Sequence, residues 1–212
     1  MASRGDSGRT RKPPGERREE ILSAAAVIAI EQGLERITLR AVADRLGVRP
    51  GLITHYFPAA EDLVVEAFAR AAIAEREQFD PSDGSPLERI AHFVGHVEEG
   101  RSLPLARLWL NARHLSRFSP ALQPVLEEQD ALDRQRLATM IREGVASGAF
   151  ADLDADTASI RILIAVDGGG SYVNSVGDYG SPAYAHFLAD ATEWILGIRP
   201  GALRTLIDAR AG

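Results

Sequence analysis

Apolar residues recur along this chain at three- and four-residue intervals, and no stretch alternates with the period of two that a half-buried strand requires. The spacing predicts nine helices, over 16–32, 38–45, 50–57, 61–79, 86–99, 104–117, 121–148, 155–176 and 183–197, divided by junctions rich in Gly, Pro and Ser. The expected fold is all-α. Residues 1–15 carry Gly, Ser, Pro and basic residues with no apolar period, the pattern of a disordered basic arm. Pro81-Ser82-Asp83-Gly84-Ser85-Pro86 reads as a loop.

The stretch from Ile37 to Phe57 says most. Leu39, Val42, Ala43 and Leu46 form one apolar stripe of a short helix. Thr38 suits its N-cap, because a hydroxyl can accept from an orphan N–H of the first turn. Gly47 suits a left-handed stop, and Pro50 the first turn of a second helix, where its missing N–H is no loss. On that second helix Ile53, Tyr56 and Phe57 fall on the inner side, leaving Arg49, Thr54 and His55 outside. This is the layout of a helix-turn-helix DNA reader, although periodicity alone describes an ordinary helical hairpin equally well.

A resemblance separates the two. Glu19-Glu20-Ile21-Leu22-Ser23-Ala24-Ala25, the Gly33 stop, Ile37-Thr38-Leu39-Arg40-Ala41-Val42-Ala43, Gly47-Val48, His55-Tyr56-Phe57-Pro58 and Glu61-Asp62-Leu63 follow in the order found in the TetR family of transcriptional repressors. Residues 17–63 resemble that family's N-terminal domain, and Pro50 to Phe57 is most similar to its branch of choline- and betaine-pathway repressors. Two positions depart from the family pattern. Arg49 stands where Ser or Thr usually opens the recognition helix, and Ala60 where a Lys often meets a backbone phosphate. The resemblance implies a three-helix DNA-binding domain over 16–60 and a ligand-binding and dimerisation domain over 61–212. It also implies a palindromic double-stranded DNA operator as partner, and release by a small-molecule effector. The DNA-contacting candidates are Thr38, Arg40, Arg49, Pro50, Gly51, Thr54, His55 and Tyr56.

Composition agrees with this picture. The net charge of −6 splits unevenly: residues 1–58 carry ten Lys/Arg against seven Asp/Glu, a net of +3, and the remainder 14 against 23, a net of −9. A basic head on an acidic body meets DNA by one end. No apolar run nears the ~18 residues of a membrane span, and the polar, basic start lacks the apolar core of a secretory signal. With no cysteine, disulfides and thiol catalysis are excluded, and a cytoplasmic location is expected.

Two late amphipathic helices carry apolar faces. Ile160, Leu163, Ile164, Val166 and Val173 form one; Tyr184, Phe187, Leu188, Ala191 and Ile195 form the other. They would complete a monomer core or, as the family resemblance implies, pair with a second copy in a four-helix interface. Gly168-Gly169-Gly170 follows no strand and lacks the P-loop pattern, so close helix packing or a kink is the expectation. Candidate effector-pocket residues are Phe93, His96, Trp109, Arg113, His114, Phe118, Asp167 and Tyr172, placed by polar and aromatic spacing in the central helices and by the family's use of this region. An enzymatic alternative rests on His92 and His96, spaced to share one metal from a helix face, but Phe93 occupies the position where a His-Glu-x-x-His hydrolase needs its Glu. A helical protein-binding adaptor is the third reading. No cofactor fingerprint occurs, so none is expected.

Overall fold

The computed structural model of the protein describes residues 13–78, 84–100, 103–172, 184 and 186–211. Among them are ten α-helices, one 3-10 turn and no strand. The predicted disordered arm lies outside the described residues up to position 12. The helix α1 (Pro14–Gln32) begins two residues earlier than the spacing suggested, because Pro14 fits its first turn. A 3-10 turn, Leu34–Arg36, leads to α2 (Leu39–Leu46) and α3 (Pro50–Tyr56).

The turn between α2 and α3 follows its local chemistry. The Thr38 Oγ1 accepts from the Ala41 N–H at 3.0 Å. Gly47 adopts φ 62°, ψ 38°, a left-handed cap that costs a glycine little, and the Val48 N–H reaches the Ala43 carbonyl at 3.0 Å. Pro50 opens α3, which buries Ile53 completely, with Phe57 2% exposed just beyond its end. Thr38→Ala is expected to lower stability by about 1 kcal/mol through the lost cap, seen as a lower urea midpoint. An unchanged midpoint would contradict the cap's contribution.

The long helix α4 (Ala60–Gln78) leaves this head and enters the body, formed by α5 (Pro86–Glu98), α6 (Leu103–Leu115), α7 (Leu122–Ala146), α8 (Ala155–Gly170), α9 (Phe187–Leu196) and α10 (Ala202–Ala211). Two apolar cores result. The first joins Ile21, Ile28, Leu34, Val42, Ile53 and Phe57 to Leu63 and Phe68 of α4, and continues into Leu108, Trp109 and Ala112 of α6. Phe68 meets Trp109 edge-on at 5.2 Å between ring centres, so head and body share one core. The second packs α5, α7, α8, α9 and α10 around Ile90, Val94, Ile141, Phe150, Ile162, Leu188 and Leu203.

The tenth helix was not predicted, although Leu203, Leu206 and Ile207 have helical spacing. Its start is held from outside: the buried Glu193 carboxylate accepts from the N–H groups of Gly201 and Leu203, each at 2.7 Å. The helix expected over 155–176 ends at Gly170, with positions 173–176 outside the described residues. The one expected from 183 begins at Phe187, after His186 takes a positive φ of 63° that breaks the helical path. Close packing at the three glycines holds for Gly170 alone, where a Cβ would meet Ala106 at 3.2 Å; Gly168 and Gly169 face open space.

Candidate functional site

Three surfaces carry chemistry. The first is the outer face of the α2–α3 pair. Thr38, Arg40, Arg49, Pro50, Gly51, Thr54 and His55 are all exposed there, and Tyr56 is half-buried, packed on the first core with its ring 5.2 Å from that of His55. Arg40 pairs with Asp44 at 3.8 Å, but with side chains 86% and 70% exposed the pair is solvated and weak. Its guanidinium can therefore turn to a phosphate at small cost. Thr54 donates its hydroxyl to the Pro50 carbonyl at 3.3 Å. Arg45 is otherwise engaged: it bonds Glu31 of α1 at 2.8 Å, and this bond holds the Glu31 carboxyl below its usual range. Arg18, which the sequence did not single out, lies over the Phe57 ring and binds Glu66, fixing the exit from α3 against α4.

The second is a cavity of about 1120 Å³ walled by helices α4 to α9. Of the eight pocket candidates, Phe93, Trp109, Arg113, Asp167 and Tyr172 are on its wall. His96, His114 and Phe118 are not: His96 is half-buried on α5, while His114 and Phe118 pair edge-on at 5.6 Å on the outside of α6, with Phe118 71% exposed. Arg113 crosses the cavity. Its guanidinium stands 5.3 Å over the Trp109 ring and binds Asp167 of α8 at 2.9 Å and Asp130 of α7 at 3.3 Å.

The wall between α4 and α7 was missed. There Arg76 binds the Asp133 carboxylate at 2.5 Å and the Gln129 side-chain oxygen at 3.0 Å, while Arg136 donates to the Arg76 carbonyl at 2.5 Å. Burial pushes the Asp133 carboxyl up against the pull of Arg76. Burial, aided by Asp133, pushes Glu75 up to about 8. A signal for this wall existed: Gln129, Asp133 and Arg136 fall on the same face of α7 as Leu126, Leu137 and Met140.

The third is an apolar face on α8 and α9, whose Ile160, Leu163, Ile164, Tyr184 and Phe187 also border the cavity. Ile160, Ile164, Tyr184 and Phe187 are 43 to 64% exposed, and Leu163, Ala191 and Ile195 are half-buried. Leu188 differs: at 5% exposure it belongs to this chain's own second core. Trp194, not predicted for this face, is 79% exposed.

Residues 21–67 match the family model described as bacterial regulatory proteins, tetR family. Over 152 residues the chain is 29% identical to the HTH-type transcriptional repressor KstR2 of Mycolicibacterium smegmatis, covering 69% of this chain and 74% of that protein. The chain belongs to the TetR family of transcriptional regulators. The HTH-type repressor KstR of Rhodococcus jostii is 37% identical over 87 residues, 39% of each chain. A transcriptional regulator from Saccharomonospora viridis, solved in complex with choline, shares the TetR fold with a TM-score of 0.69 at 22% identity, over 85% of this chain and 96% of that one. The comparisons reach the family and not its choline- and betaine-pathway branch: the curated relatives are KstR2 and KstR, and likeness at 22% identity speaks for the fold alone. TetR-family proteins are regulators and not enzymes, so neither the metal site at His92 and His96 nor the adaptor reading is favoured. Among the described residues no helix is long and apolar enough to cross a membrane.

Proposed function

We propose that this TetR-family regulator represses transcription by binding a palindromic operator as a dimer, residues 16–60 reading DNA and residues 61–212 pairing the subunits and holding the effector. One observation carries the reading: α3 exposes Thr54 and His55, and Arg49 is exposed just before it, on a head whose core runs through Phe68 to Trp109, on the wall of a large cavity. Arg49, Thr54 and His55 meet base edges or phosphates in the major groove; Thr38, Arg40, Pro50, Gly51 and Tyr56 support the contact. Ile160, Ile164, Tyr184, Phe187 and Trp194 form the subunit contact, with Leu163, Ala191 and Ile195 at its inner edge. The two heads must sit about 34 Å apart to enter successive major grooves. The helix α4 spans about 28 Å from head to cavity, so an effector that shifts its far end changes head spacing and lowers operator affinity. A regulator of this kind works in the cytoplasm.

The test is a gel shift with DNA upstream of the protein's own gene, at several salt concentrations. Specific retention that weakens steeply with salt is expected, and Arg49→Ala should cost about 1–3 kcal/mol at the operator if it reads a base. A uniform loss on all DNA would make Arg49 a phosphate contact. Absence of salt-dependent binding to any DNA would defeat the proposal.

A further inference from the structure

Glu75 is a titratable group for which repression has no evident use. It lies on the cavity wall near the far end of α4, half-buried, and makes no hydrogen bond or ion pair with any described residue. The charges that act on it are Asp133 across the wall, which repels it, and Arg76 beside it, which is committed to Asp133 and Gln129. Around them Asp133 is answered by Arg76, and Asp130 and Asp167 by Arg113, while Arg136 bonds the Arg76 carbonyl; Glu98, also on the cavity wall, lies 3.6 Å from His186. Arg107 and Arg134 on the cavity wall are exposed, and neither acts appreciably on Glu75. Among the described residues the Glu75 carboxyl has no hydrogen-bond partner and no cation committed to it.

We propose that the effector is an organic monocation with an apolar body, whose charged group seats against Glu75 between α4 and α7. This rests on the cavity being the effector site. An anion would meet the Asp133 carboxylate and hold Glu75 in its neutral form, and a neutral ligand would leave Glu75 as it stands. A cation supplies the missing partner and competes with Arg76 for Asp133, loosening the bond that ties α4 to α7. Leu137 and Met140, one and two turns along α7 from Asp133, are buried beside the cavity and offer the apolar wall. The seat over Trp109 is already filled by Arg113.

Binding of this kind has a proton signature. Glu75 holds a proton near neutral pH, and a ligand cation favours its ionised form, so the proton leaves as the ligand enters. Affinity should rise with pH, by up to about tenfold per unit below pH 8, and level off above it. The experiment is isothermal titration of the full chain with hexyltrimethylammonium, whose charge does not titrate, against hexanol and hexanoate, from pH 6 to 9 and in two buffers of different ionisation enthalpy. Expected are preferred binding of the ammonium, release of a proton near pH 7, and loss of both preference and pH slope in Glu75→Gln, a variant checked for folding by circular dichroism. Equal binding of the three probes, preference for hexanoate, or an affinity independent of pH in the wild type would overturn the assignment without reference to the variant. A gel shift on the same samples separates the two proposals. Operator binding without ammonium preference sinks only the cation seat; ammonium preference without operator binding sinks only the repressor reading.

Discussion

Replacing both Ile164 and Trp194 by arginine is expected to give a folded monomer whose operator affinity is at least about a hundredfold lower. At 64% and 79% exposure these side chains contribute little to the fold of one chain, so the melting temperature of the variant should stay close to that of the wild type. In the proposed dimer the same positions would close against a second copy, where an unpaired guanidinium is strongly unfavourable. Each head then binds its half-site alone, without the gain of a tethered second contact. Light scattering at micromolar concentration reads the oligomeric state, and a gel shift reads the affinity. A dimeric variant with full affinity would move the interface away from α8 and α9. Leu188→Arg is not an equivalent probe. Leu188 lies in the chain's own second core, and that substitution should unfold the body rather than part the subunits.

Gly144→Val is expected to be the most destabilising change of small volume, about 3 kcal/mol or more. A Cβ at Gly144 would fall well inside van der Waals contact with the Phe150 ring, where the chain turns back after α7. The ring is 4% exposed and belongs to the second core, so it has nowhere to retreat. With about 2–4 °C lost per kcal/mol for a chain of this size, thermal denaturation should show a fall on the order of 10 °C. Phe150→Leu in the same chain should recover part of it, because the two changes share one space and are not additive. An undiminished melting temperature for Gly144→Val would mean that α7 and Phe150 are not held as described.

The head could be read in advance because its instructions are local. The Thr38 cap, the left-handed Gly47 and the Pro50 start act within a few residues of themselves, and each is found in place. The body depends on partners distant in sequence. A stripe such as that of α9 shows that a face is apolar without showing whether its partner is the same chain or another, so Leu188 and Phe187 look alike in sequence and part company in the structure. The α4–α7 wall escaped notice because Arg76 and Asp133 are 57 positions apart. The start of α10 depends on Glu193, which faces inward from α9. His114 fell outside the cavity because it is exposed on the outer side of α6, and Phe118 because it lies beyond the end of that helix, against His114.

The unbroken core from Ile53 through Phe68 to Trp109 limits how this protein can be cut or recombined. A fragment ending near residue 60 would lose Leu63, Ala67 and Phe68, against which α1 and α3 pack, and would not fold by itself. A DNA-reading segment exchanged between relatives must bring α4 with it and find a matching inner face on α6. Shuffling specificities at the apparent domain boundary should therefore yield insoluble chimeras, and crossovers placed after Gln78 should fare better only where position 109 keeps a large aromatic ring.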